Sequence, residues 1–143
     1  MQKRNERRAM INVVIDTNVI ISSVLSPAGN PAKVIDKILK NDDFEFYYSV
    51  EIHNEYRKVL SRPRLNIFKE AQTAILEGIK QTGMLISPKK SRVPLPDESD
   101  RVFYDTAKEA GAFLVTGNKK HFPNEDFILT PTEFLQIIEN GEK

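Results

Sequence analysis

Cysteine is absent from the 143-residue chain, and histidine occurs only twice, as His53 and His121. The first absence removes disulfides, thiolate zinc sites and cysteine nucleophiles together, and it fits a reducing compartment. The scarcity of imidazole leaves little for histidine-based metal or acid–base chemistry. Charge of one sign is missing as well: 21 Lys plus Arg against 20 Asp plus Glu leave a formal net charge of +1. A body that holds nucleic acid by bulk charge is excluded, whereas a local basic patch is not. No uninterrupted apolar run approaches the ~20 residues of a membrane-spanning helix, and no charged start leads into a secretory-type apolar core, so the expected address is the cytoplasm. With 40% hydrophobic and 29% charged residues at this length, one core is expected and a second full domain does not fit.

The first nine residues, MQKRNERRA, predict a disordered basic lead-in, with a single folded domain over 10–143. Ile11, Asn12, Val13, Val14 and Ile15 form a short β-branched run suited to a parallel strand covered on both faces, and it stops at Asp16. Helices are predicted over Val19 to Leu25 and Pro31 to Lys40, a strand over Phe44 to Tyr48, and a helix to Leu60 with Ser49 as its N-cap. A longer helical stretch carries Leu65, Ile67, Phe68, Ala71, Ile75, Leu76 and Ile79 and ends near Gly83; a strand over Met84 to Ser87 follows. Three prolines make Pro88 to Pro96 a loop. Asp97 opens a helix to Ala110, Gly111 caps it, and strands follow at Ala112 to Thr116 and Phe127 to Leu129. Thr130 and Glu133 have the spacing of a capping box for a last helix, Pro131 to Glu139. This alternation predicts a three-layer α/β/α sandwich around a mainly parallel sheet, whose strands deliver their C-terminal ends to one edge.

Three groups of acids are candidates for that edge. Asp16 follows the most apolar strand in the chain, where a carboxylate either projects into a cleft or caps the next helix. Glu55 lies three after Ile52 and four before Val59, so it borders the buried stripe of its helix, where it loses hydration and needs a partner. The alternative is an ordinary boundary glutamate paired with Arg57 or Lys58, although neighbours one and two positions along a helix do not face each other. Asp97 and Asp100 sit at a helix start with Glu98 between them, and capping plus the helix dipole is a sufficient account of both. Carboxylates gathered within ~4 to 5 Å repel by roughly 1 kcal/mol per pair in water and by more at lower dielectric. A divalent cation resolves that conflict, and oxygen-only ligands suit Mg²⁺ or Mn²⁺. The reaction class that follows is metal-assisted phosphodiester hydrolysis.

Four blocks, Val13 to Val19, Ser49 to Leu60, Pro96 to Phe103, and Ala112 to Asn118, resemble in order the PIN-domain family, and within it the toxin components of toxin–antitoxin pairs. The resemblance implies a small metal-dependent nuclease acting on single-stranded RNA, a homodimer, and a cognate antitoxin. By resemblance Asp16, Glu55 and Asp100 are the catalytic and metal-holding acids, and Asp97 is an accessory. The family's fourth acidic place falls on Asn118, a departure: an amide supplies no negative charge, so one resident ion is expected, with a second arriving only with substrate. Thr17, Asn18 and Thr116 are candidates for holding a carboxylate or a water, with turn and strand-end capping as their other role. Lys89, Lys90 and Arg92 ahead of the acids, and Lys119 and Lys120 behind them, are candidates for holding phosphate; solvated surface is the alternative for each. His121 is expected on the surface, and His53 about 200° around its helix from Glu55, outside any shared ligand set.

The rival from another class is a PIN-like module, weakened at Asn118, that grips RNA or protein without cutting. A phosphatase with an aspartate nucleophile would carry a second Asp at position 18, where Asn18 stands, and a phosphate-accepting receiver would carry an acid pair near Asn12 to Ile15, where there is none.

Overall fold

A computed structural model describes residues 10–141; the expected lead-in over 1–9 lies outside the described residues. Five parallel strands, β1 (Ile11–Ile15), β2 (Phe44–Tyr48), β3 (Met84–Leu85), β4 (Phe113–Val115) and β5 (Ile128–Leu129), form one sheet in the order β3-β2-β1-β4-β5. β1 is innermost, and Val13, Val14 and Ile15 are fully buried although successive side chains point to opposite faces. Such a strand must be covered on both sides, which is why its sequence is a continuous apolar run. Six helices supply the cover: α1 (Thr17–Leu25), α2 (Asn30–Lys40), α3 (Val50–Leu60), α4 (Lys69–Thr82), α5 (Arg101–Ala110) and α6 (Pro131–Gly141). α2 packs on α6, whose Phe134 meets Phe44 and Phe113, and α5 packs on β1, β2 and β4. The expected three-layer sandwich is therefore the fold. Among the described residues no helix is long and apolar enough to cross a membrane.

Local chemistry sets the helix ends. Ser49 Oγ accepts from the Ile52 amide at 3.1 Å and starts α3. Thr130 and Glu133 close their capping box reciprocally, at 2.9 and 3.1 Å. Gly111 ends α5 at φ 59, in the left-handed region that an L side chain enters with difficulty.

The structure corrects three boundaries. The helix expected around Leu65 begins only at Lys69, because Pro63–Leu65 forms a separate 3-10 turn closed by Asn66 at φ 51. A left-handed residue cannot continue a right-handed helix, and Asn is among the few residues that adopt it cheaply. The helix expected from Asp97 is first a 3-10 turn, Glu98–Asp100, with Asp97 as its cap, and α5 starts at Arg101. β3 ends at Leu85, short of the expected Ser87, and both of its residues are exposed at the sheet edge.

At Gly83, between α4 and β3, an added Cβ would lie 2.6 Å from the Ile79 carbonyl oxygen, 2.9 Å from a Tyr48 ring carbon and 3.0 Å from the Phe46 carbonyl oxygen. Two of the three obstacles are backbone, so the cost cannot be relieved by a rotamer change. Gly83→Ala is expected to destabilise the fold by about 1–3 kcal/mol, read as a lower urea midpoint with an unchanged denaturant slope.

Candidate functional site

Asp16 stands at the C-terminal end of β1 and caps α1. The register that pairs Ile15 with Val115 brings the next residue of each strand, Asp16 and Thr116, side by side. Asp16 is 5% exposed; its Oδ1 accepts from the Thr17 amide at 2.8 Å and its Oδ2 from the Thr116 hydroxyl at 2.7 Å. The capping role and the cleft role are thus filled by the same carboxylate. The Thr116 oxygen also accepts from the Asn118 amide at 3.0 Å, and the Gly117 amide donates to Asn18 Oδ1 at 3.0 Å. Asn18 and Thr116 accordingly lock the exit of β4 against the start of α1, while Thr17 contributes its backbone amide.

A cavity of about 400 Å³ opens at this edge, and Asp16, Glu55 and Asp100 all line it. They arrive from three parts of the fold: the end of β1, the middle of α3, and the 3-10 turn before α5. Glu55 is half-buried, as its position beside Ile52 and Val59 requires. Tyr56, the next residue, is fully buried and donates its hydroxyl proton to the Ile15 carbonyl, tying α3 to the end of β1.

Asp100 does not cap α5 through its side chain; its buried Oδ2 has no hydrogen-bond partner, and His121 Nδ1 stands 3.4 Å away. Burial first, and then the negative charge of Asp16, push the Asp100 carboxyl up to about 6, with His121 opposing and Asp97 and Glu55 adding to the rise. Asp16 is raised as well, chiefly by burial, against the pull of its hydrogen bonds from Thr116 and Thr17. Two carboxyls in one cavity, each disfavoured in its charged form, are the electrostatic mark of a functional site. Apart from the His121 imidazole, the groups of the lining that could ligate are carboxylate, amide and hydroxyl oxygens, the set a hard divalent ion takes, and an unpartnered buried carboxylate oxygen is what such an ion would satisfy. The residues fit that group, although among the described residues no three His, Asp or Glu side chains are drawn together as ready ligands of one ion.

The other candidates lie outside the cavity lining. Asp97 is exposed, and the amide and hydroxyl of Ser99 hold its carboxyl below the usual range; capping accounts for it. Asn118 turns its amide to His121 Nε2 at 2.9 Å. Lys119 pairs with Glu133 at 3.2 Å, and Lys120 is exposed in the 3-10 turn Lys119–His121. Lys89, Lys90 and Arg92 belong to a loop drawn onto α5 by Arg101, which donates to the Ser91 and Val93 carbonyls at 2.8 and 2.7 Å and clasps Glu98. Lys90 lines a separate groove with Glu98, Arg101 and Asp105. His53 is buried, with Nε2 3.2 Å from the Leu76 carbonyl, away from Glu55 as expected.

His121, Arg62 and Arg64 line the cavity without having been singled out for it. His121 is exposed as expected, yet it bridges Asn118 and Asp100. Its place three residues after Asn118, on a tight turn, was the one available signal.

Several known proteins share this sequence or fold. An uncharacterized protein of Methanocaldococcus jannaschii is 32% identical over 144 positions, spanning 90% of this chain and 92% of the relative. Among solved structures, VapBC2 from Rickettsia felis bound to a DNA fragment from its promoter aligns with a TM-score of 0.55 at 15% identity, covering 84% of this chain and 97% of the other. PAE2754 from Pyrobaculum aerophilum aligns with a TM-score of 0.60, also at 15% identity, covering 94% of each chain. At that identity the two structures speak for the fold. Residues 12–120, spanning all three cavity carboxylates and the β1–β4 core of the sheet, match the family described as PIN domain, and the chain belongs to that family.

Proposed function

We propose that the chain is a divalent-metal-dependent endoribonuclease that hydrolyses single-stranded RNA, with Asp16, Glu55 and Asp100 holding Mg²⁺ or Mn²⁺. The observation that carries this reading is the gathering of those three carboxyls in one cavity, with a buried Asp100 oxygen left without a partner. The PIN family is broadly one of nucleases, and family membership supports the reaction class. We further propose that the chain acts as the toxin of a toxin–antitoxin pair with a protein antitoxin as its partner, a step in keeping with the fold it shares with VapBC2; a homodimer in the cytoplasm belongs to the same proposal and follows from the family resemblance of the sequence.

The roles of the chain's own groups follow from their contacts. Thr116 and Thr17 fix both Asp16 oxygens, so that this carboxylate meets a cation already oriented and without a further loss of rotamer freedom. Asp100 offers an oxygen that accepts no hydrogen bond, with His121 Nδ1 3.4 Å from it, and Glu55 closes the set from α3. His121 bridges the two segments, its Nε2 2.9 Å from the Asn118 amide nitrogen and its Nδ1 3.4 Å from Asp100 Oδ2. When bound, a divalent ion supplies a water of lowered pKa and offsets charge gathering on the phosphoryl oxygens. The water adds across one phosphorus–oxygen ester bond, and the leaving oxygen takes up a proton. Asn118, Asp97 and the lysines at 89, 90, 119 and 120, with Arg92, stand at the margins of this scheme.

The second reading, a PIN-like module that binds RNA or protein without cutting, is favoured by the Asn118 side chain being engaged with His121. Incubation of a mixed single-stranded RNA pool with Mn²⁺ separates the two. Cleavage is expected for the wild type, with a loss of at least about a hundredfold in Asp16→Asn, in Asp100→Asn and in EDTA, as the removal of several kcal/mol of charge stabilisation requires. Equal survival of the RNA with the wild type and both variants would overturn the nuclease reading, and retention of that RNA by the wild type in a binding assay would then favour the module.

The raised Asp100 carboxyl also predicts a stability effect with a definite sign. In the metal-free fold Asp100 holds its proton to a higher pH, about 6, than in the unfolded chain, near 3.8, so its contribution is fully present below 3.8 and is lost as pH rises through about 6. At pH 7 in EDTA, Asp100→Asn is therefore expected to raise the thermal midpoint, although the same substitution abolishes cleavage in Mn²⁺, and the gain in midpoint should vanish below pH 4.

A further inference from the structure

Arg62 and Arg64 flank the cavity floor of Asp16, Glu55 and Asp100, and neither guanidinium has a carboxylate partner among the described residues. Their backbone is well fixed. The Arg62 amide donates to the Val59 carbonyl at 3.1 Å, the Leu65 amide to the Arg62 carbonyl at 3.0 Å, and the Asn66 amide to the Pro63 carbonyl at 3.0 Å. Pro63 and the left-handed Asn66 bracket the turn. Arg62 stands about two helical turns past Glu55, roughly 10 Å along the chain. Three acids alone would repel a polyanion, and two guanidiniums that line the same cavity, with no carboxylate partner among the described residues, supply the missing attraction in the planar form that takes phosphate through two parallel hydrogen bonds.

A second, independent feature lies on the same segment. Phe68, at the head of α4, is 79% exposed, the most exposed of the large apolar side chains among the described residues. Leu65 lines the cavity, and three residues of chain place Phe68 no more than ~11 Å beyond it. An aromatic face open to solvent beside phosphate-holding cations is the arrangement on which unpaired bases stack; a duplex keeps its bases inside and cannot use the ring.

We propose that residues 62–68 are the strand-holding rim of the cavity: Arg62 and Arg64 take two backbone phosphates, and Phe68 stacks on a base of single-stranded nucleic acid. This rests on the nuclease reading for the identity of the cavity. The rim accounts for substrate attraction on the α3–α4 side of the site, whereas the Lys89 to Arg92 loop is drawn away onto α5.

The test is fluorescence anisotropy of a short labelled oligoribonucleotide across a salt series in EDTA, with the same sequence as a duplex for comparison. The variant carrying Arg62→Ala and Arg64→Ala is expected to bind at least about tenfold more weakly. Its slope of log affinity against log salt is expected to be shallower by about 1.4, two phosphate contacts at about 0.7 each on a single strand. The variant carrying Arg62→Lys and Arg64→Lys keeps the wild-type slope. Phe68→Ala is expected to weaken single-strand binding at least about fivefold with the slope unchanged, and to leave duplex binding as it was. Lys89→Ala with Lys90→Ala changes neither quantity. An unchanged slope in the arginine-to-alanine variant, or no measurable single-strand binding by the wild type, overturns the rim. Cleavage at the wild-type rate by the alanine variants would also overturn it while leaving the nuclease reading intact. Loss of binding in those variants, with no cleavage by the wild type in Mn²⁺, keeps the rim and removes the nuclease.

Discussion

A carboxylate taken out of water at the end of the innermost strand is the constraint around which this fold is arranged. Asp16 is costly where it stands unless both of its oxygens are engaged, and the engaging groups come from two separate stretches of chain, the first amide of α1 and the hydroxyl of Thr116. The second of these exists only because β1 and β4 are neighbours in register. The crossover that places β4 beside β1 is therefore also what makes the acid tolerable. Thr116 in turn receives the Asn118 amide, so the segment that leaves β4 toward His121 is aligned by the same contact.

The cavity that results is electrostatically uneasy. Asp16 and Asp100 both resist ionisation, chiefly through burial; the Asp16 charge raises Asp100, Glu55 raises both, and the buried Tyr56 is itself raised by burial and by the Asp16 charge. Sites of this kind give up some stability for chemistry. Elsewhere the molecule avoids the problem: Glu98 is clasped by Arg101 and Glu133 by Thr130 and Lys119, and both carboxyls are held below their ordinary range. The acids on the flanks are held in their charged form by cations and amides, whereas in the cleft Asp16 is raised despite two hydrogen bonds and Asp100 keeps an oxygen with none.

Much of this was legible in the residues. The apolar run ending at Asp16, the Ser49 cap that sets the phase of α3 and hence of Glu55, and the Thr130–Glu133 box are local patterns, and local patterns survive folding. The start of α4 was not legible, because apolar spacing from Leu65 to Ile79 continues straight through Asn66 and only its backbone angle shows the break. Which cations line the cavity was not legible either. Closeness in sequence to Asp97 and Asn118 favoured the lysines, but Arg101 pulls one loop aside and Glu133 occupies Lys119. Arg62 and Arg64 line the cavity from the turn that follows α3, far in sequence from Asp16 and Asp100, a relation that no spacing along the chain encodes.

Both borders of the sheet, β3 and β5, are only two residues long. A strand that short offers an incoming chain too few free amides and carbonyls to build a ladder on, so a protein whose centre is rich in β-branched and aromatic strands carries little template for fibrous growth. Crowding many copies together should therefore promote association through side chains rather than through continuous backbone pairing.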